Sequence, residues 1–412
     1  MKSLILIRIA VTVFVTLTPC VQGAREFASS KDHAITSQAP AIKAGPLDLL
    51  KGLEGYAAED LIRTFNGSNK KLCIVNKTSD NQGSEKEQGT LRYCIESAKN
   101  AKKDEMTWII FDPQVFGANK NQAIELREEL ALGSNTIIDG RGAKVTICST
   151  KDVHLLTIRD AKNIMFRNLI LHKVAPFARE KFKKNINFSV SSRPGTDINR
   201  AVQGVDRDGI SIRGISDNIW IDHCTFFLCG DESIGVSSAS GLGNTKIIVS
   251  WCDFSDQYYV ALIGHTKEDK KYDQKIRLTF HHNRIKGAAR RSPRVNRATA
   301  DVYNNYLEGW VDWGMAANAS SKVLVEGNIF EASESTNAIN IGTTTQIKGF
   351  VRIKDNALIN GAELDSCMPS KVQVPDYNRT ISKADDNLKE LLKLQCGWQN
   401  MSVDFSELLN RQ

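Results

Sequence analysis

Four arginines lie close together in the segment ARRSPRVNR, residues 289–297: Arg290, Arg291, Arg294 and Arg297. Like charges at this spacing repel each other, and the segment contains no acidic residue that would offset them. A guanidinium group pairs well with a carboxylate, because its planar fork matches the two carboxylate oxygens. The arginine segment (residues 289–297) therefore indicates a surface that binds an acidic ligand, with or without a catalytic arginine.

Carboxylates form a second chemical group, in the stretch DRDG. Asp206 and Asp208 are two residues apart, so in an extended strand they lie on the same face. Two such carboxylates repel each other unless a cation or a basic side chain lies between them, and Ca²⁺ prefers several oxygen ligands of this kind. The alternative is that these residues are ordinary aspartates of a surface turn.

The elements that must position these groups repeat along the chain. Seven short runs, rich in apolar and β-branched residues, each carry one characteristic residue before the closing apolar pair: Asn168, Cys224, Cys252, Asn283, Asn305, Asn328 and Asn356. Successive steps are 56, 28, 31, 22, 23 and 28 residues, and the double step contains an inserted loop at about 173–205. A period of this length is typical of stacked coils. We predict an all-β fold, a right-handed parallel β-helix with short N- and C-terminal helical segments. The LxxLxLxxN spacing of leucine-rich repeats is absent.

The repeated position predicts contacts between coils. Asparagines stacked at one bend can hydrogen-bond to each other along the stack. Cys224 and Cys252 occupy this position in neighbouring coils, at a strand spacing of about 4.8 Å, which leaves either a disulfide or two buried thiols. Eight cysteines remain after Cys20, enough for up to four disulfides.

The two ends of the chain differ from the repeats. Residues 1–23 carry an early positive charge and an apolar run, which predicts a secretory signal peptide. We place an N-terminal extension with a short helix at 24–84, the β-helix at 85–365, and a C-terminal helical segment that packs on it at 366–412. Six N-x-S/T sequons favour a secreted glycoprotein, located outside the cell or in the cell wall: Asn66, Asn76, Asn187, Asn318, Asn378 and Asn400.

Bulk composition excludes few functions. The 412 residues are 41% hydrophobic and 25% charged, which fits a globular protein. The net charge of +7 is too small to demand nucleic acid, but it suits an acidic partner where the cations cluster. No apolar stretch after the signal peptide is long enough to span a bilayer. We therefore expect a monomer with no nucleic-acid partner and no membrane contact after signal removal.

Several motifs occur in an order that resembles the plant-type pectate lyases and their pollen-allergen relatives: GTLR (89–92), TIIDGRGAKV (136–145), WIDHC (220–224), LIGH (262–265), HHN (281–283) and RSPR (291–294). The resemblance covers roughly residues 85–360. It implies a right-handed β-helix and calcium-dependent β-elimination. The implied substrate is polygalacturonate, the (1→4)-α-D-galacturonan of pectate, and the products are oligosaccharides with 4,5-unsaturated ends.

The resemblance also assigns roles to individual residues. It makes Arg291 the base that removes the C5 proton of a galacturonate, with Arg294 and Arg297 binding substrate. It makes Asp206, Asp208 and Asp231 the calcium ligands. An arginine acting as a base needs neighbouring positive charge to lower its pKa.

Four positions depart from the family pattern. A further calcium ligand falls on Gly235, the substrate lysine falls on Tyr259, the second arginine of RxPxxR falls on Asn296, and Arg207 replaces a glycine. Glu232 compensates for Gly235 only if the loop is drawn differently. Two alternatives follow: a weakened or inactive pectin-binding, allergen-like homologue, or a metal-independent pectin lyase in which Arg207 takes the place of calcium.

Overall fold

The computed structural model describes residues 42–43, 49–80, 87–102, 104–120, 122–173, 207–237, 244–264, 275–342, 347–401 and 403–404. Three parallel sheets of ten, nine and eight strands, here sheets A, B and C, are formed by strands that recur in each turn of the chain. The chain passes from A to B to C and then back to A in the next coil. This is the predicted parallel β-helix.

The strand bounds follow the repeats. Sheet A contains Asn69–Val75, Glu105–Phe111, Thr136–Asp139, Lys162–Arg167, Asp217–Asp222, Thr245–Ser250, Ile276–His281, Thr299–Tyr303, Lys322–Glu326 and Phe350–Lys354. Sheet B contains Gln122–Glu125, Val145–Ser149, Ile170–Lys173, Thr225–Phe227, Asp253–Ser255, Arg284–Ala288, Tyr306–Trp310, Ile329–Glu331 and Ala357–Ile359. Sheet C contains Leu130–Leu132, Leu156–Arg159, Ile210–Arg213, Glu232–Ser237, Tyr259–Ile263, Arg294–Asn296, Met315–Asn318 and Ile339–Asn340. A separate parallel pair joins Ile42–Lys43 to Val403–Asp404.

One apolar core runs along the inside of the coils. Inward side chains of consecutive coils stack in register, as where Ile219 pairs with Ile164 on one side and Ile247 on the other. The rings of Phe226 and Phe254 stack with centroids 4.9 Å apart. Because each coil buries its apolar side only against its neighbours, the stack as a whole supplies the stability that no single coil has.

The asparagine ladder is present. The Nδ2 group of Asn283 donates to Oδ1 of Asn305 at 3.0 Å, Asn305 donates to Asn328 at 2.9 Å, and Asn328 donates to Asn356 at 3.1 Å. A second ladder, which the sequence reading missed, joins three asparagines with left-handed backbone: Asn135, Asn163 and Asn218. Asparagine tolerates this backbone region better than most residues, which suits it to these bends.

We expect Asn305→Ala to lower the free energy of unfolding by about 3 kcal/mol. The substitution removes the two bonds of Asn305 to the ladder asparagines and its two bonds to the carbonyls of Phe280 and Tyr303. It also leaves the buried backbone N–H of Asn283, which donates to Asn305 Oδ1 at 2.9 Å, without its partner. Urea unfolding measures the change, with the exposed Asn387→Ala as control. A loss no larger than that of the control would contradict this account of the ladder.

The cysteines form one disulfide among the described residues, between Cys73 and Cys94. It joins the first strand of sheet A to the helix Leu91–Lys99, which packs against the first coils. Cys224 and Cys252 are both buried thiols, so the second of the two sequence alternatives holds in this structure. Burial raises the pKa of the Cys252 thiol, and so does the neighbouring Cys224.

Both terminal segments pack on the outside of the β-helix. The N-terminal helix, predicted as a short helix within residues 24–84, is Ala58–Gly67, and it buries Leu61 and Phe65 against sheet A. The C-terminal helix, Asp386–Gln395, buries Leu388 and Leu392 against Tyr306 and Ile329 of sheet B. Shorter helical turns lie at Pro113–Phe116 and Pro369–Lys371.

Sheet A begins at Asn69, upstream of the start at 85 that we assigned to the β-helix, and the domain bounds stay a prediction. None of the helices in the described segments has the length and apolar character needed to cross a bilayer.

Candidate active site

Three neighbouring strands of sheet C bring the predicted site residues together. Glu232 pairs with Tyr259 in the next coil, and Tyr259 forms a bridge with Arg290 in the coil after that. Three residues further along the strands, Gly235 is in register with Leu262, which pairs with Arg294. Residues far apart in sequence therefore lie at adjacent positions because the coils stack in register.

Arg291 lies between an acid and an aromatic ring. Its Nη1 group contacts Oε1 of Glu232, and its guanidinium carbon lies 3.5 Å from the centroid of the Tyr259 ring. Its backbone is left-handed, with φ of 65°, directly before the cis peptide bond between Ser292 and Pro293. The turn thus aims the side chain back across the preceding coil.

Arg290 and Arg294 flank this side chain. Arg290 donates to the Tyr259 hydroxyl at 3.0 Å and pairs with Asp312 at 3.1 Å. Burial lowers the pKa of Arg294, and the positive charges of Arg291 and Arg290 lower it further. The segment therefore concentrates positive charge in a half-buried place, but its arginines respond differently. The pKa of Arg294 falls, whereas that of Arg290 rises, because burial, which lowers it, is outweighed by the bond to Tyr259 together with the nearby Asp312 and tyrosines.

The other two positions of the arginine segment have different surroundings. Asn296 is buried, and it donates its amide to the carbonyl of Gly264 at 3.3 Å while accepting from Arg294 Nε at 3.3 Å. It orients Arg294 in place of supplying a charge. Arg297 follows the strand in a left-handed conformation, with φ of 49°.

A carboxylate cluster adjoins Arg291. Oxygen atoms of Asp208, Asp231 and Glu232 all lie within 4.8 Å of one another. The backbone N–H of Asp208 donates to His154 Nδ1 at 2.8 Å, and the backbone N–H of Asp231 donates to the carbonyl of Arg207 at 3.0 Å. Asp206, the remaining predicted ligand, lies outside the described residues.

Position 235 has no space for a side chain, which explains the glycine there. A Cβ atom there would lie 2.4 Å from Oδ2 of Asp208, far inside contact distance. An aspartate at 235 would therefore displace the Asp208 carboxylate. Glu232 brings the third carboxylate to the cluster from the start of the same strand. Its role as a ligand in place of residue 235 stays a prediction.

The electrostatics of the cluster favour a bound cation. Burial and the charge of Asp231 raise the pKa of Glu232 to about 9, although Arg291 acts in the opposite direction. Burial also raises the pKa of Asp208, with Asp231 adding to the effect. The raised pKa values of Asp208 and Glu232 show that these two crowded carboxyl groups resist ionisation. A hard cation such as Ca²⁺ would relieve that crowding, and three carboxylate oxygen donors suit it, so these residues fit calcium.

A groove with a cavity of about 630 Å³ lies on sheet C beside Asp208, whose backbone N–H donates to His154 in the lining. The lining also includes the basic side chains of Arg159 and Arg213 and three acidic ones, Glu128, Glu129 and Asp152. Arg207 lies at its edge, with Nε 3.7 Å from a carboxylate oxygen of Asp152. The site is therefore part of an open, polar surface that suits a chain-like ligand.

The sequence matches a known family. The pectate lyase family model matches residues 117–374. The chain belongs to the pectate lyase family. A probable pectate lyase of Arabidopsis thaliana is 32% identical over 69% of this chain, and a pectate lyase of Ambrosia artemisiifolia is 30% identical over 66% of it. The matches span 64% and 60% of those relatives, less than two thirds of their length.

Solved structures of pectate lyases and related pollen allergens share the fold. The major allergen of cedar pollen superposes with a TM-score of 0.61 at 22% identity, covering 85% of this chain and 94% of the allergen. A Bacillus pectate lyase in complex with trigalacturonate superposes with a TM-score of 0.55 at 18% identity, covering 84% of this chain and 98% of the enzyme. At these identities the likeness concerns the fold alone.

Some features of this site were not predicted from the family motifs. Glu232 was predicted as a calcium ligand only on the condition that the loop is drawn differently, although it directly follows the predicted ligand Asp231. The contact between Arg291 and the Tyr259 ring joins residues 32 positions apart, and only the stacking of coils reveals it. Functional roles stay proposals for Arg291, Arg294, Arg297 and the acidic residues.

Proposed function

We propose that this protein is a calcium-dependent pectate lyase that cleaves (1→4)-α-D-galacturonan by β-elimination. One observation carries the proposal: Arg291, half-buried among other arginines, contacts a carboxylate that belongs to a three-acid cluster. A base and a set of calcium ligands at adjacent positions are what removal of a proton beside a carboxylate requires. The open groove of sheet C gives a polymer access to both.

Each residue has a definite task in the proposed reaction. Asp208, Asp231 and Glu232 would hold Ca²⁺, with Asp206 as a further ligand. When bound, the ion draws electron density from the uronate carboxylate and so acidifies the adjacent C5–H. A neutral Arg291 accepts the C5 proton at a guanidine nitrogen, the C4–O4 bond breaks, and a C4=C5 double bond forms. The departing oxygen takes a proton from solvent.

Substrate carboxylates need cations beside this base. Arg294 and Arg297 follow Arg291 along the segment, and Arg290 places a guanidinium at Tyr259, where the family carries a lysine. We propose that Arg290 supplies from the neighbouring coil the positive charge that Tyr259 does not. Bidentate pairing suits all three arginines to uronate carboxylates.

A binding protein without turnover is the second candidate, and one observation favours it. Arg291 contacts Glu232 and stacks on Tyr259, and both contacts stabilise its cationic form. Base function requires the pair with Glu232 to break. A metal-independent pectin lyase is less favoured, because Arg207 pairs with Asp152 at the edge of the groove.

Secretion to the extracellular space or cell wall also belongs to the proposal. The signal peptide, residues 1–23, and the sequon at Asn187 lie outside the described residues. Asn66, Asn76, Asn378 and Asn400 are exposed, whereas Asn318 is buried in sheet C and has no room for a glycan. We therefore expect glycans at the exposed sequons alone.

The test follows unsaturated product by ultraviolet absorbance, on polygalacturonate and on methylated pectin, with calcium and with chelator. We expect product from polygalacturonate that requires calcium. Product from pectin that survives chelation would instead support a metal-independent lyase. Polymer retention without any product would support the binding protein.

A further inference from the structure

A second cleft lies on the outer face of sheet A, on a different sheet from the candidate active site. It encloses about 580 Å³. Arg277, Thr299 and Lys322 form one wall, at the same register position in consecutive coils. Residues 370–376 of the C-terminal segment contribute the facing side chains, including Lys371. We call this the sheet A cleft.

The cleft has uncompensated positive charge. Arg277, Lys322 and Lys371 line it together with a single carboxylate, Asp376. Within the part of the chain that the structure describes, none of these three cations forms an ion pair, although Arg277 lies 5.7 Å from the Tyr56 ring. Other cations of sheet A are paired, as Lys246 is with Asp60 and Lys354 is with Glu326. The three unpaired cations therefore meet at a concave surface, where an anionic ligand would be partly desolvated.

The spacing of these cations suits a repeating anion. Arg277 and Lys322 are two strands apart in a parallel sheet, which separates their backbones by roughly 9–10 Å. Thr299 lies between them and offers a hydroxyl group. A polyuronide carries one carboxylate on every sugar, so an extended segment can meet both cations at once while its hydroxyl groups face Thr299.

We propose that the sheet A cleft is a second binding site for a carboxylate-rich polysaccharide segment. This inference rests on the proposed function for the identity of the polymer. Two sites on different sheets would raise the affinity for a long polymer far above that for a short one, because the second contact is intramolecular once the first has formed. A trisaccharide would gain nothing from the second site.

The experiment compares two double variants of the full chain. Lys322→Glu/Lys371→Glu reverses the charge of the cleft, and Lys120→Glu/Lys383→Glu applies the same change in net charge at exposed positions elsewhere. Retention on immobilised polygalacturonate gives the affinity for polymer. We expect the cleft variant to bind about tenfold more weakly than the control variant, with an unchanged rate of trigalacturonate cleavage.

Equal retention of the two variants on polygalacturonate would overturn the proposal, and so would an equally large loss of retention on immobilised dextran sulfate, which would mark a general polyanion surface. The two proposals fail separately. If the wild-type protein forms no unsaturated product, the lyase proposal fails, while the difference in retention still tests the cleft. If product forms and retention is equal, only the cleft proposal fails.

Discussion

Arg291→Ala is expected to lower kcat on polygalacturonate by about a thousandfold, within the range for loss of a positioned general base. Among the described arginines of the segment, Arg291 is the one that forms an ion pair with the carboxylate cluster. KM should change by less than about threefold, because Arg290, Arg294 and Arg297 remain to bind the uronate carboxylates. Initial rates of absorbance increase measure both constants.

Two comparisons make this result specific. Arg352→Ala removes an equal charge from sheet A, away from the site on sheet C, and should keep wild-type activity. Arg291→Lys keeps the charge, but its ammonium lacks the planar fork, so we expect it to bind polymer and remain nearly inactive. Activity of Arg291→Ala within tenfold of wild type would show that Arg291 is not the base.

The fold was predictable because its determinants are local and repeated. Each coil repeats the same apolar runs and the same bend. The spacing of Asn283, Asn305 and Asn328 therefore predicts stacked coils, and no tertiary contact has to be known in advance. Cys73 and Cys94 carry no such signal. Their pairing depends on how the helix Leu91–Lys99 packs on the first coils, which no repeat specifies.

Site residues were predictable only where they lie inside a motif of the family. Arg291 and Asp231 lie inside recognisable motifs. Gly235 looked like a lost ligand, because sequence spacing does not reveal that the Asp208 carboxylate occupies the space above it. The same limit applies to Glu232, whose place in the cluster depends on the exact turn before its strand.

Glu232→Gln should strongly weaken the calcium response of both stability and activity. The substitution keeps the shape of the side chain and removes one of three carboxylates, so calcium affinity and kcat/KM at fixed calcium should each fall by about a hundredfold, as for loss of a charged ligand. In the wild-type protein, calcium at about 100 times its Kd should add about 2.7 kcal/mol of stability. Thermal melts with and without calcium measure this, and the exposed Glu363→Gln is the control.

The pH dependence has a definite sign. In the calcium-free protein the pKa of Glu232 is raised from its ordinary value to about 9, so the folded state holds a proton that the unfolded state releases. Its contribution to stability is therefore complete below the unfolded pKa, near 4.5, and is lost as pH rises through about 9. Calcium displaces that proton, so calcium should stabilise the protein more at pH 9 than at pH 6.

The calcium-free melt of Glu232→Gln separates two roles for this glutamate. If crowding among the three carboxylates dominates, the neutral glutamine removes a buried charge, and the variant should melt at a higher temperature than wild type at pH 9. If Glu232 serves mainly as the partner of Arg291, the variant should melt lower, since it leaves a half-buried guanidinium unpaired. The second result, with an undiminished calcium shift, would remove Glu232 from the ligand set and favour the binding protein, in which Arg291 remains a cation.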